Sequence, residues 1–346
     1  MLDDLKYIHQ RDGQDALGIA EKQWQQLTHE FEVPSLQSAA SSQINNVVVA
    51  GMGGSALPGV FLQPWSEPNV PLEIVRNYSL PSYVGPNTLV ISSSYSGNTE
   101  ETLSALSEAE AKNAQIVVLA AEGQLTQKAQ EKSRPVFKIP TGLQPRMSSF
   151  YFLAAMAQVL EKLNLVPQGK VDELHSAAQW LKEQNADWRP DVATDQNKAK
   201  KIAMELAGKT VIVYSGPLLF PAANKWKIGF NENAKNLAWS GQYPEFNHNE
   251  FIGWSSHPIN KPFAVVEIRS SLEHERTQKR FEVTERLLSG RRPMPIVVQP
   301  EGETLLKQLL WTSMLGDFVS IYLALLNNVN PTPVELVEKF KHDLNG

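Results

Sequence analysis

The run INNVVVA at residues 44–50 breaks directly into Gly51-Met52-Gly53-Gly54-Ser55. A short β-branched run that ends apolar suits a strand covered on both faces, as in a parallel sheet. Three glycines in the five residues after it let the chain turn sharply into a helix. Further apolar runs stand at residues 72–75, 88–92 and 116–120, with helical stretches between several of them, notably 100–113. Strands alternating with helices predict an α/β fold around a parallel sheet. Ahead of them, residues 2–31 read as one or two amphipathic helices with Trp24, Leu27 and Phe31 on one side.

Residues 168–207 are mostly polar and helical, interrupted at Pro190, and read as a bridge. The same grammar then restarts, with apolar strands at 211–214, 263–268 and 296–299 and a long apolar helix at about 305–326. Two α/β units of similar internal order suggest one fold used twice. The expected division is an N-terminal helical segment 1–35, a first domain 36–165, a helical linker 166–200 and a second domain 201–346 that ends in a helix.

Composition narrows the chemistry. Among 346 residues there is no cysteine, which removes disulfides, thiolate metal sites and cysteine nucleophiles. The 32 Lys+Arg and 37 Asp+Glu are scattered and leave no basic stripe for a nucleic-acid backbone. No spacing such as H-E-x-x-H suggests a metal site. The start, MLDDLKYIHQRDGQ, lacks an apolar signal core. No apolar run is read as approaching the roughly 18–20 residues of a membrane span. The expectation is a cytoplasmic protein with no cofactor, no metal, and no nucleic-acid or membrane partner.

Two loops carry chemistry. Gly51 to Ser55 exposes successive N–H groups at a helix start, where the helix dipole favours an anion. Gly51, Gly53 and Ala56 satisfy a loose dinucleotide fingerprint, but Val75-Arg76-Asn77 stands where its acidic residue belongs. No Gly-Lys-Ser/Thr follows, so it is not a Walker loop. Taken alone, the loop also fits a plain strand–helix turn. The second loop, Ser92-Ser93-Ser94-Tyr95-Ser96-Gly97-Asn98-Thr99-Glu100-Glu101-Thr102, again follows a strand and opens a helix. Its hydroxyls can donate to a phosphate while Gly97 permits close backbone approach. Capping by Ser96 or Thr99, assisted by Glu101 or Thr102, is expected as well. Two such loops at the carboxyl ends of strands in one sheet would converge on a crevice, and a small phosphorylated ligand fits it.

The pairing of GMGGSALPG with SYSGNTEET resembles the sugar isomerase (SIS) domain. Gln144-Pro145-Arg146, Asn231-Glu232-Asn233-Ala234-Lys235, Asn247-His248-Asn249-Glu250 and Pro331-Thr332-Pro333 through Lys339 follow in order. Over nearly the whole chain the series resembles the bifunctional phosphoglucose/phosphomannose isomerase family. The resemblance implies two SIS domains, each a parallel sheet flanked by helices in a flavodoxin-like three-layer sandwich. It implies interconversion of glucose 6-phosphate and mannose 6-phosphate with fructose 6-phosphate through a cis-enediol, without a cofactor.

Residue by residue, the resemblance assigns the phosphate anchor to Gly53, Gly54, Ser55, Ser94, Ser96 and Thr99. Glu232 matches the base that moves the proton between C1 and C2; the bland reading is a solvated or capping carboxylate. His248 matches a ring-opening histidine supplied by the neighbouring subunit of a homodimer, and imidazole suits proton exchange near neutral pH. Lys339 matches a second ring-opening residue, with Lys341 as the alternative in register. Arg146 is placed to steady the enediolate oxygen, against the alternative of a surface salt bridge. Thr332 matches the threonine associated with accepting both C2 epimers. The second unit has Ser215-Gly216-Pro217-Leu218-Leu219 after its first strand and no serine-rich loop, so one phosphate site per chain is expected. Trp226, Phe230, Trp239 and Trp254 read as core or interface.

Three other functions compete. A phosphosugar-sensing regulator would carry a basic helix-turn-helix, and none is visible. An amidotransferase-type isomerase would need a cysteine nucleophile. A dinucleotide-dependent oxidoreductase lacks its ribose-binding acid.

Overall fold

The computed structural model describes residues 1–32, 35–36, 43–255 and 262–345. They fold as two compact units, Lys22–Trp180 and the pair Met1–Glu21 with Leu181–Gly346.

Helices α1 (Leu5–Arg11) and α2 (Ala16–Lys22) open the chain. Asp4 caps α1, its carboxylate accepting the N–H groups of Lys6 and Tyr7. The Tyr7 hydroxyl donates to the Leu325 carbonyl at 2.7 Å, and Lys200 Nζ reaches Asp3 at 3.1 Å. These bonds explain why residues 1–21 join the C-terminal unit instead of standing apart as a segment 1–35.

In the unit Lys22–Trp180 the elements are β1 (Asn46–Gly51), α3 (Gly53–Trp65), β2 (Leu72–Val75), β3 (Thr88–Ser94), α4 (Glu100–Ala111), β4 (Gln115–Ala120), α5 (Gly123–Glu131), β5 (Val136–Lys138) and α6 (Ser149–Lys162). Helix α7 (Lys170–Gln184) carries the chain on and makes 15 residues of the expected linker one regular helix. The strands form one parallel sheet in the order β2-β1-β3-β4-β5. Val48, Val90, Ile116 and Val118 pack with Ala105 and Leu106 of α4 in its core. The order reverses between β1 and β3, and ligands of such sheets bind outside the carboxyl ends of the strands at that point. Both candidate phosphate loops leave from these two strands.

The other unit continues with α8 (Lys198–Leu206), β6 (Thr210–Ser215), α9 (Phe220–Glu232), β7 (Ala238–Gln242), α10 (Glu250–Gly253), β8 (Phe263–Ile268), α11 (Glu275–Leu287), β9 (Ile296–Val298), α12 (Leu305–Leu326) and α13 (Glu335–Asn345). Its parallel sheet runs β7-β6-β8-β9, the order of the first sheet without its last strand. The expectation of one fold used twice therefore holds at the level of strand order.

Helix α12 corrects one reading. It is long and apolar enough to cross a membrane, although no run was expected to be, and it is the one such helix among the described residues. Of its most apolar window 94% is buried inside the fold, which makes it a core helix. Close approach fixes it against α9: a Cβ on Gly316 would overlap the Trp226 indole, and one on Gly229 would come within 2.9 Å of Ser320 Oγ. Trp226 and Phe230 are fully buried there, and Trp254 is buried too, whereas Trp239 is exposed and belongs to no core.

Candidate active site

The two loops of the first sheet meet as expected. Gly51 pairs with Ser93 across β1 and β3, where a Cβ on Gly51 would stand 2.6 Å from the Ser93 carbonyl. The Ser93 hydroxyl donates to the Ser55 carbonyl at 2.7 Å, and Ser55 Oγ accepts the Tyr95 N–H at 3.0 Å. Ser55 is buried and joins the loops, with its own hydroxyl hydrogen left to donate. Met52 stands at the cap position of α3 and makes no side-chain bond, so the N–H groups of the first turn have no side-chain cap.

In the second loop Ser94 Oγ and Thr99 Oγ1 share a hydrogen bond at 2.8 Å. Thr99 occupies the cap position of α4, yet its side chain makes no capping bond. The expectation that Ser96 or Thr99 caps this helix is thus corrected: the Thr99 hydroxyl is turned toward Ser94. Ser96 is exposed, and its hydroxyl accepts the Asn98 N–H at 3.3 Å. Gly97 has φ +65°, and a Cβ there would overlap the Glu122 carbonyl, so only glycine fits. The Leu125 N–H donates to the Gly97 carbonyl at 2.9 Å and the Ala121 N–H to the Tyr95 carbonyl at 3.1 Å. The Glu100 carboxylate accepts from the Tyr78 hydroxyl at 3.1 Å.

Arg146 belongs to the same unit. It sits in a 3-10 turn, Pro145–Met147, ahead of α6, and is buried, which rules out an exposed salt bridge. A Cβ on Gly54 would lie 2.8 Å from the Arg146 Cα and N and from the Pro145 carbonyl carbon, so α3 begins in contact with this turn. Tyr95, which the sequence reading passed over, ties the loop to the approach: its hydroxyl donates to the Pro140 carbonyl at 3.1 Å and accepts the Leu143 N–H at 2.8 Å. Burial holds the Tyr95 phenol above its ordinary pKa.

In the other unit Glu232 is the last residue of α9 and half-buried. The residues after it are tied down one by one. Asn233 Nδ2 donates to Ser320 Oγ at 2.8 Å, Asn327 Nδ2 donates to the Ala234 carbonyl at 3.0 Å, and Lys235 Nζ donates to the Asn330 and Pro331 carbonyls at 2.7 and 3.3 Å. Lys235 adopts φ +49° to do so. The structure therefore brings the Glu232 segment to the segment of Thr332, whose N–H donates to Asn330 Oδ1 at 3.0 Å.

His248 is exposed at the end of a 3-10 turn, Glu245–His248, beyond β7. Asn247 and Glu250 beside it are anchored inward, while Asn249 bonds within the turn. Asn247 Nδ2 donates to Thr284 Oγ1 at 3.0 Å, Asn249 Nδ2 donates to Glu245 at 2.6 Å, and Glu250 accepts from the Tyr214 hydroxyl at 2.9 Å. Burial, then the Glu250 charge, push the Tyr214 phenol far above its ordinary pKa, so it stays a donor. Lys339 lies on α13, and both it and Lys341 are exposed; Lys341 pairs with Glu338 at 3.0 Å. No cluster of three or more His, Asp and Glu among the described residues could hold a metal ion.

Two parallel sheets of one order, the first with a hydroxyl-lined crevice at its reversal point, define a tandem SIS-type sugar-phosphate protein. Residues 195–344 match the family described as bacterial phospho-glucose isomerase C-terminal SIS domain. A bifunctional phosphoglucose/phosphomannose isomerase of Aquifex aeolicus is 35% identical over 301 residues, covering 86% of this chain and 90% of that one. The protein of the same name from Caldicellulosiruptor bescii is 35% identical over 309 residues, covering 88% and 91%. A solved structure, a glucose-6-phosphate isomerase like protein from Thermus thermophilus, superposes with a TM-score of 0.65 at 19% identity, covering 97% of this chain and 99% of that one. The chain belongs to the bifunctional phosphoglucose/phosphomannose isomerase family.

Proposed function

We propose that the chain interconverts glucose 6-phosphate and mannose 6-phosphate with fructose 6-phosphate by moving one proton between C1 and C2. The observation that carries this reading is the meeting of the two loops that leave β1 and β3, where Ser55 joins segments rich in hydroxyl and N–H donors. Such an arrangement anchors a phosphate dianion without a lysine. Ser55, Ser94, Ser96 and Thr99, with the backbone of Gly53 and Gly54, hold it.

The chemistry then needs a base, a cation and groups that open the sugar ring. Glu232 takes the proton from one carbon and returns it to the other. Arg146 offers a fixed charge to the oxygen that becomes an enediolate. His248 and Lys339 exchange protons with the ring oxygen and O1. His248, outward-facing on an anchored turn, acts in the site of a second copy, and Thr332 sets the acceptance of both C2 epimers. The protein works in the cytoplasm.

Coupled assays with glucose 6-phosphate and mannose 6-phosphate, with chelator present, test the reading. Both substrates should yield fructose 6-phosphate. Glu232→Gln keeps the shape of the side chain and cannot accept the proton, so kcat should fall roughly a hundredfold or more with KM nearly kept. Normal turnover by that variant would remove the base from the mechanism.

A further inference from the structure

The crevice that binds phosphate in one sheet has a counterpart in the other, and a side chain of the protein fills it. The orders β2-β1-β3-β4 and β7-β6-β8-β9 correspond strand for strand. The turns after β6 and β8 therefore stand where Gly51–Ser55 and Ser94–Thr99 stand in the first sheet. Into this second crevice comes Glu273, just ahead of His274, the cap of α11. Glu273 is only 5% exposed. Its Oε1 accepts the Leu218 N–H at 2.9 Å, and the neighbouring Leu219 N–H also favours the charged carboxylate. It rests on Gly216, where a Cβ would overlap the carboxyl group. Among the described residues no lysine, arginine or histidine forms an ion pair with it.

A carboxylate buried without a counter-cation is costly unless donors satisfy it. Here the donor is backbone N–H of the turn that opens α9, a place where the helix dipole favours negative charge. Burial pushes the Glu273 carboxyl up, and the N–H groups of Leu218 and Leu219 oppose that push. The carboxylate thus sits as an oxyanion ligand would sit: on a glycine, against backbone donors, at the reversal point of a parallel sheet.

We propose that this crevice is a second oxyanion site, built on the plan of the first and occupied by the chain's own Glu273. Its natural ligand class is a small oxyanion, acetate or inorganic phosphate, which enters once the carboxylate is removed. The inference does not rest on the isomerase reading.

Glu273→Ala removes a carboxymethyl group, close in bulk to acetate. The full-length protein, its Glu273→Ala variant and its Glu273→Gln variant are compared by thermal denaturation in chloride, acetate and phosphate at matched ionic strength. Phosphate bound per chain is measured by equilibrium dialysis. The expected result is that Glu273→Ala melts lower in chloride, recovers saturably in acetate or phosphate, and binds one more phosphate per chain than the unaltered protein. Glu273→Gln, which still fills the crevice, should gain none. The readout is the difference from the unaltered protein, so failure of the β1–β3 crevice to bind phosphate would not imitate failure here. A folded Glu273→Ala with no anion response overturns the proposal, as does an equal gain by Glu273→Gln. Should Glu273→Ala not fold in chloride, recovery on refolding in acetate supports the site, and no recovery in either oxyanion overturns it.

Discussion

Substituting Gly54 by alanine probes how finely the start of α3 and the Arg146 turn are fitted. The added Cβ would lie 2.8 Å from three backbone atoms, the Arg146 Cα and N and the Pro145 carbonyl carbon. Ordinary contact begins at 3.4 Å, so the turn must retreat by about 0.6 Å. No rotamer change can absorb this, because every atom in the way is backbone. The turn is also held from behind: the Ser148 hydroxyl donates to the Pro145 carbonyl at 2.9 Å and Gln26 Nε2 to the Met147 carbonyl at 2.7 Å. Overpacking of this kind costs about 1–3 kcal/mol, and replacing glycine within a helix returns only about 0.5–1 kcal/mol. The net effect should be a loss of roughly 0.5–2 kcal/mol in denaturant unfolding. A displacement of 1 Å can cost about a hundredfold in rate, so half that shift at Arg146 should lower kcat roughly tenfold. Gly59→Ala on the same helix is the control. There the Cβ meets side chains, Ile74 Cδ1 at 2.8 Å and Val49 Cγ1 at 3.2 Å, so stability should fall while kcat and KM stay. Steady-state kinetics on both variants decides the matter. Unchanged kinetic constants in Gly54→Ala, or an equal kinetic loss in Gly59→Ala, would refute the reasoning.

Three further outcomes are expected. Ser96→Ala removes the exposed hydroxyl proposed to donate to the phosphate dianion, on the order of 1.5–3 kcal/mol; since phosphate does not react, KM should rise roughly 10- to 150-fold with kcat kept, and a pure kcat effect would count against an anchor. Glu232→Gln and His248→Ala, each inactive alone, should recover activity when mixed under verified subunit exchange, because some mixed dimers hold one intact site; persistent inactivity would argue against a shared site. Lys225 Nζ meets both oxygens of Asp317 at 2.6 Å between α9 and α12, so Lys225→Met should cost about 3–5 kcal/mol in chemical denaturation, and Lys225→Met with Asp317→Leu should restore most of it.

The legible parts of this fold are those whose cause is local. Val47–Val49 and Leu89–Ile91 announce buried strands by β-branched and apolar runs alone, and the two loops after them declare anion chemistry by glycine and hydroxyl content. Strand β5, VFK, ends in a charged residue and shows no apolar run like the IVV of β9, and β7, AWSGQ, is an edge strand with little apolar content. The allegiance of residues 1–21 depends on bonds such as Tyr7 to Leu325, 318 residues apart, which no window of sequence contains. Thr99 looked like a cap because threonine before two glutamates usually is one; its hydroxyl goes to Ser94 instead, a choice made by the turn at Gly97. Motif order carried the reading of Glu232, His248 and Lys339. Nothing about Glu273 in SSLEHER set it apart, since its meaning lies in Gly216 and Leu218, more than fifty residues away.

The double engagement of Ser55 has a consequence, under the proposed function, for how fast and how cheaply a phosphate can be received. Its oxygen already accepts from Tyr95 while its proton remains unspent, so an arriving oxyanion breaks no bond between the loops. The Ser94–Thr99 pair needs only one hydroxyl proton to swing from its partner to the ligand. Under the proposed function these contacts need no heavy atom to move, and reception is a matter of turning hydroxyl hydrogens. Little ordering entropy is then lost on association. Capture of the anion should be limited by diffusion and charge, with dissociation setting most of the difference in affinity between one phosphorylated sugar and another.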